Sequence, residues 1–173
     1  MSFSVYRKIA NLILLLVASN LSAQVTYYDA AEFQLLGKAT AATTERYVRL
    51  PDSLEHMTDV AVKGLDLYCL EGKNWYFVNS ARPMGKSTES SLISGMEAKE
   101  REFMIYLPLY DGLVSLSIGI DAGASINQPA IESPVREKPV VFYGTSILQG
   151  GCASRPGMAH PNIISRRLNR ECI

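Results

Sequence analysis

The 173-residue sequence predicts a mainly β chain that finishes in the opening strand, loop and helix of an α/β unit. Three observations carry this. From Gln24 to about Pro134, short apolar runs alternate with Gly-, Pro- and Asn/Asp-containing turns, the pattern of a β-sandwich. Pro129 to Pro139 then packs three prolines and four charges into one stretch, which no central strand tolerates, so it marks a boundary. After it, Val140-Val141-Phe142-Tyr143 reads as a short buried strand broken by Gly144. The chain divides accordingly into residues 24–134, a β domain, and 135–173, the start of a second unit.

Residues 1–23 read as an export leader. Arg7 and Lys8 form a positive start, Leu12 to Val17 an apolar run, and Ser22-Ala23 a small-residue cleavage point before Gln24. The run is shorter than the roughly 20 apolar residues of a membrane span, and no cysteine follows it to take a lipid. The expected product is periplasmic or secreted, with no membrane association once the leader is cleaved near Ala23/Gln24.

Within the β region, Arg46-Tyr47-Val48-Arg49-Leu50 is a short strand ending at Pro51. Gly64-Leu65-Asp66-Leu67-Tyr68-Cys69-Leu70 and Trp75-Tyr76-Phe77-Val78 flank Glu71-Gly72-Lys73-Asn74 and predict a hairpin. Phe103 to Leu107 and Leu113 to Ile120 flank Pro108-Leu109-Tyr110-Asp111-Gly112 and predict a second. Glu97 to Glu102 is a charged loop. Ala159 to Asn169 is a helix, with Pro161 in its first turn and Ile164 and Leu168 four residues apart.

With 47% hydrophobic and 20% charged residues, the chain is globular in composition, and its formal net charge is zero. No Lys/Arg stripe with interleaved aromatics suggests a nucleic-acid partner. Arg155, Arg166, Arg167 and Arg170 read as a solvated face. Cys69 lies in an apolar run and reads as core, while Cys152 and Cys172 could form a bridge. No Cys/His spacing indicates a metal, and no cofactor is implied. A phosphate-binding loop fails because Gln stands at 149 without a following lysine. A Gly-x-Ser-x-Gly elbow fails because Leu stands at 148.

The chemistry concentrates at Gly144-Thr145-Ser146. Reacting groups of open α/β sheets gather at the carboxyl ends of strands, so Ser146 is a candidate nucleophile. A neutral serine needs an adjacent base. After Ser146 the chain has no Asp and one histidine, His160, which reads as a helix-start surface residue; His56 reads as a surface or interstrand residue.

Gly64-Leu65-Asp66-Leu67-Tyr68 resembles the GxDLY motif of the domain that precedes certain bacterial SGNH-type (GDSL-like) esterases. Pro134 to Pro139 followed by Gly144-Thr145-Ser146-Ile147 is similar to the junction and first catalytic block of the same enzymes. The resemblance takes in nearly all the chain after the leader. It implies a jelly-roll-like N-terminal domain with Gly64, Asp66, Leu67 and Tyr68 as its motif residues. It also implies a flavodoxin-like hydrolase domain in which Ser146 is the nucleophile and its N–H an oxyanion donor. Gly144 and Thr145 complete the block; many GDSL enzymes have Asp where Thr145 stands. The implied substrates are acylated small molecules or carbohydrates. The family's later Gly, Asn and Asp-x-x-His elements have no counterpart, so the chain is expected to stop after the first block and to be inactive alone.

Relatives also carry more strand sequence before the motif, whereas Arg49 to Glu55 runs almost directly into His56-Met57-Thr58; one or two strands are expected to be missing. The alternative is a non-catalytic β module that binds glycan through Trp75, Tyr76 or Tyr110. On either reading residues 140–173 should bury little, leave the Val140–Tyr143 strand exposed unless it docks on the β domain, and be cut by protease between Pro129 and Ser154.

Overall fold

The structure is a computed structural model that describes residues 2–9, 24–36, 58–129 and 138–173, with backbone alone for 2–9 and 34–36. The short strand expected at 46–50, His56, and the segment where strands were expected to be missing lie outside the described residues. The architecture is mainly β and antiparallel. One sheet runs in the order β3 (Gln34–Leu36), β1 (Ser2–Ile9), β6 (Arg101–Tyr106), β4 (Leu65–Glu71), β5 (Asn74–Ala81), with β8 (Ala124–Ser125) also paired to β1. A separate ribbon joins β2 (Val25–Asp29) to β7 (Ser117–Asp121).

β4 and β5 form the expected hairpin, closed at Gly72-Lys73 with Gly72 at φ +63°. β4 is the central feature. It pairs with β5 along its length on one side and with β6 from Asp66 to Cys69 on the other. Leu67 and Cys69 point into an apolar core with Phe103, Ile105 and Leu107, covered by Leu116, Ile118 and Phe33. Leu67 stands opposite Ile105 and Cys69 opposite Phe103, so the period of two along both strands builds this face directly.

The second predicted hairpin does not form. β6 pairs with β4 and β1, whereas β7 pairs with β2. The supposed turn is instead a buried connection. Leu107, Leu109 and Tyr110 are all buried, and the N–H groups of Leu109, Tyr110 and Asp111 bond to the carbonyls of Ala61 and Val62 in α1 (Asp59–Lys63). Two leucines and a tyrosine hidden from water draw the chain inward, where a solvent-exposed turn would have left them wet.

Ser2–Ile9, within the stretch read as a leader, runs antiparallel between β3 and β6. The predicted C-terminal helix is present as α3 (His160–Leu168), with Pro161 in its first turn and Asn169 ending it in left-handed backbone. The strand predicted at 140–143 is reduced to one parallel bridge between Val140 and Cys172, extended by bonds from Phe142 N to Ile173 O and from Val140 N to Glu171 O. None of the described helices is long and apolar enough to cross a membrane.

Candidate functional site

Ser146 opens α2 (Ser146–Gln149), a single helical turn that begins after Thr145 and ends at Gly150 in left-handed backbone. Ser146, Thr145 and Gly144 are all exposed. A Cβ at Gly144 would lie 2.9 Å from Leu148 Cδ2, so a larger residue there would displace the end of that side chain. His160 packs its ring edge-on to Phe142, with centroids 6.3 Å apart. Its place in the structure is a helix-start aromatic contact.

What lies beneath Ser146 comes from the β domain. The Tyr110 hydroxyl donates to the Ser146 carbonyl oxygen at 2.9 Å, and Gln149 Nε2 donates to the Leu109 carbonyl at 2.7 Å. Leu109 and Tyr110 share an apolar cluster with Ala61 and Val62 of α1 and with Ala159. Tyr110 is 3% exposed, so it cannot serve as the surface glycan contact proposed for it. Trp75 is half-buried and Tyr76 is 55% exposed.

A second set of contacts starts from the GxDLY motif. Asp66 is 0% exposed in the middle of β4. A buried carboxylate is costly unless fully paired. Here its Oδ1 accepts from Ser80 Oγ at 2.5 Å, while Oδ2 accepts from Arg155 Nη1 at 2.9 Å and from the Gly157 N–H at 2.8 Å. Arg155 Nη1 also donates to the Tyr68 hydroxyl at 2.6 Å. Burial opposes the charge on Arg155, yet its bonds to Tyr68 and Asp66 outweigh this and raise its pKa above the ordinary guanidinium value.

The aromatic members of this face are stacked around the cations. Tyr68 meets Phe77 and Tyr106 edge-on at 5.7 and 5.4 Å. The Arg155 guanidinium lies 3.8 Å over the Phe77 ring and that of Arg166 lies 4.2 Å over Tyr68, both within cation–π range. Burial pushes the Tyr106 hydroxyl up to about 12, with the Arg166 guanidinium working against it.

Two glycines, Gly64 of the motif and Gly157 of the facing loop, are explained by close approach. A Cβ at Gly64 would lie 2.6 Å from the carbonyl oxygens of Ala81 and Val60. At Gly157 it would lie 2.5 Å from Tyr68 Cε2 and 2.9 Å from Asp66 Oδ2. Leu67, the remaining motif residue, belongs to the apolar core. Thr58 adds a further tie: its Oγ1 caps α1 by accepting from the Ala61 N–H and donates to the Ser154 carbonyl.

Residues 146–166 are therefore docked along the β domain, the exception the sequence reading allowed for, while Val141 and Tyr143 of the expected strand are exposed as expected. Arg155 and Arg166 are not a solvated face but the charged half of this contact. Sequence reasoning also missed Ser80, Gly157, Tyr106 and Gln149. The available signal was Asp66 itself, an acid within an apolar strand that requires buried partners. All three cysteines are free; Cys69 is buried, and burial raises the thiols of Cys69 and Cys172. Among the described residues no group of three or more His, Cys, Asp or Glu could hold a metal ion.

Both parts, the antiparallel β domain carrying GxDLY and the Gly-Thr-Ser-Ile segment, have matches among known proteins. Residues 52–126 match the family described as GxDLY, the N-terminus of SGNH hydrolase-type esterases, and residues 137–173 match the GDSL-like lipase/acylhydrolase family. The chain belongs to the SGNH-type esterases with an N-terminal GxDLY domain. Among solved structures it is similar to "a putative GDSL-like lipase" from Bacteroides ovatus ATCC 8483, with 34% identity and a TM-score of 0.78. That likeness covers 87% of this chain and 56% of the other, so the chain spans little more than half of that protein's length. No curated protein matches the sequence.

Proposed function

We propose that residues 24–134 and 135–173 are the N-terminal domain and the first catalytic block of an exported ester hydrolase acting on acylated carbohydrate, with Ser146 as nucleophile. The observation that carries this is the family match across 137–173, in which an exposed Ser146 opens a turn directly after the Val140 bridge. The parallel pairing of Val140 with Cys172 on either side of α3 supports a flavodoxin-like β-α-β start. A covering layer that sets Ile118 of β7 against the main sheet supports a jelly-roll-like N-terminal domain.

In the proposed reaction, Ser146 Oγ adds to the ester carbonyl carbon while its proton passes to a base. The bond to the alcohol oxygen breaks, and the alcohol leaves with that proton. Water then releases the acid from the acyl-serine. The Ser146 N–H supplies one oxyanion donor. The base, its orienting acid and the other donors come from outside these 173 residues.

Hydrolysis of p-nitrophenyl acetate and of acetylated oligosaccharides tests this on the chain alone and on the chain extended by its downstream reading frame. The extended protein should hydrolyse both, and Ser146→Ala should lower kcat by about 10³-fold or more. The chain alone should show no serine-dependent turnover. Activity of the extended protein that survives Ser146→Ala would refute the assignment. Export is checked by the N-terminus of secreted protein, expected near Gln24; an intact Met1 on cytoplasmic protein would overturn it.

A further inference from the structure

We infer that Tyr110 of the β domain is a positioning residue for the nucleophile turn, an inference that rests on Ser146 being the nucleophile. The Ser146 carbonyl closes the turn by accepting the Gly151 N–H at 2.7 Å, and it accepts the Tyr110 hydroxyl at 2.9 Å as well. The peptide unit following Ser146 is therefore fixed from two sides. One of these is a residue 36 positions away, on another part of the molecule.

The tether is rigid at its base. Tyr110 and Leu109 are buried, their N–H groups bond to Val62 and Ala61 of α1, and the Leu109 carbonyl holds Gln149 at the other end of the same turn. Further along, the Asp66 carboxylate holds the Arg155–Gly157 loop through Arg155 Nη1 and Gly157 N–H. The turn and the loop after it are thus bracketed by side chains and carbonyls of the β domain. A four-residue turn with an exposed serine has little packing of its own, and catalytic groups must be held within about 0.5 Å of their productive place. The β domain supplies that support.

The test uses the full 173-residue chain. Tyr110→Phe keeps the buried ring and removes the hydroxyl; Gln149→Met removes the second tie; Tyr76→Phe is the control at an exposed tyrosine. Amide hydrogen exchange at Gly150 and Gly151 should quicken about 2- to 10-fold in Tyr110→Phe, while β4 amides stay unchanged. The carbonyl ¹³C resonance of Ser146 should shift in Tyr110→Phe and hold in Tyr76→Phe. Gln149→Met should quicken the same amides. In the chain extended by its downstream reading frame, where hydrolysis depends on Ser146, Tyr110→Phe should lower kcat about 10-fold at unchanged KM. Unaltered exchange and carbonyl resonance, or a full kcat, would overturn the inference. Ser146→Ala retains the carbonyl and its tether, so loss of the nucleophile reading leaves the exchange result readable by itself.

Discussion

The two faces of β4 are built from alternate residues of one strand, yet they are held by opposite physics. Leu67 and Cys69 face an apolar core in which partners are interchangeable by size. Asp66 and Tyr68 face a polar and aromatic contact in which directed hydrogen bonds from Arg155 and Gly157 hold the carboxylate and the Tyr68 hydroxyl. The first face holds the sheet together, and the second attaches residues 146–166 to it. A core tolerates approximation because dispersion is non-directional. A buried carboxylate does not, because any lost bond leaves a desolvated charge.

The largest effect is expected from breaking the polar face at its centre. Asp66→Ala strands Arg155 without its carboxylate partner and should cost about 3–5 kcal/mol. Its signature is regional: proteolysis should now cut between Gly150 and Met158 while the β4–β5 hairpin stays protected. If urea unfolding shows full stability, or if the cut sites do not change, the polar face is not what attaches the tail.

Leu67→Ala probes the other face and should cost about 2–5 kcal/mol through the cavity it leaves. Here the whole sheet should lose stability in one cooperative step, with no selective release of residues 146–166. A tail that comes away before the sheet in this variant would blur the distinction between the faces.

Gly157→Ala is a smaller insult to the polar face. Its Cβ would meet Tyr68 and the Asp66 carboxylate, and the overpacking should cost about 1–3 kcal/mol. The same change at Gly85, where an added Cβ meets nothing within 4 Å, should alter thermal stability far less. Equal Tm shifts at the two positions would contradict the close approach.

The smallest effect is alkaline and belongs to Tyr106, beside Arg166. The unfolded chain loses this proton near 10.0, the folded chain near about 12. Between those values the folded state binds more protons, so stability falls with rising pH, by up to about 1.4 kcal/mol per pH unit. Below pH 10 the contribution is constant. Denaturation series at pH 9, 10.5 and 11.5 should show a steeper loss for the native chain than for Tyr106→Phe; parallel curves would remove burial as the cause.

Local pattern alone was enough for the β4–β5 hairpin, where alternating apolar residues meet a Gly-containing turn, and for α3, where Pro161 and the Ile164–Leu168 spacing mark a helix. The GxDLY and Gly-Thr-Ser-Ile segments were likewise evident as motifs, and their family follows from them. These features depend on residues within one or two turns of each other, which is the range over which propensity and periodicity act. The tertiary structure decided the rest: that β6 leads into a buried connection and not a hairpin, that Tyr110 points at Ser146, and that Asp66 closes on Arg155 and Gly157. Those contacts join residues 36, 89 and 91 positions apart. The sequence around Asp66 says that a buried acid needs donors. Which donors reach it depends on where the chain returns in space, because the hydrogen bond acts over a few ångströms and carries no information along the chain.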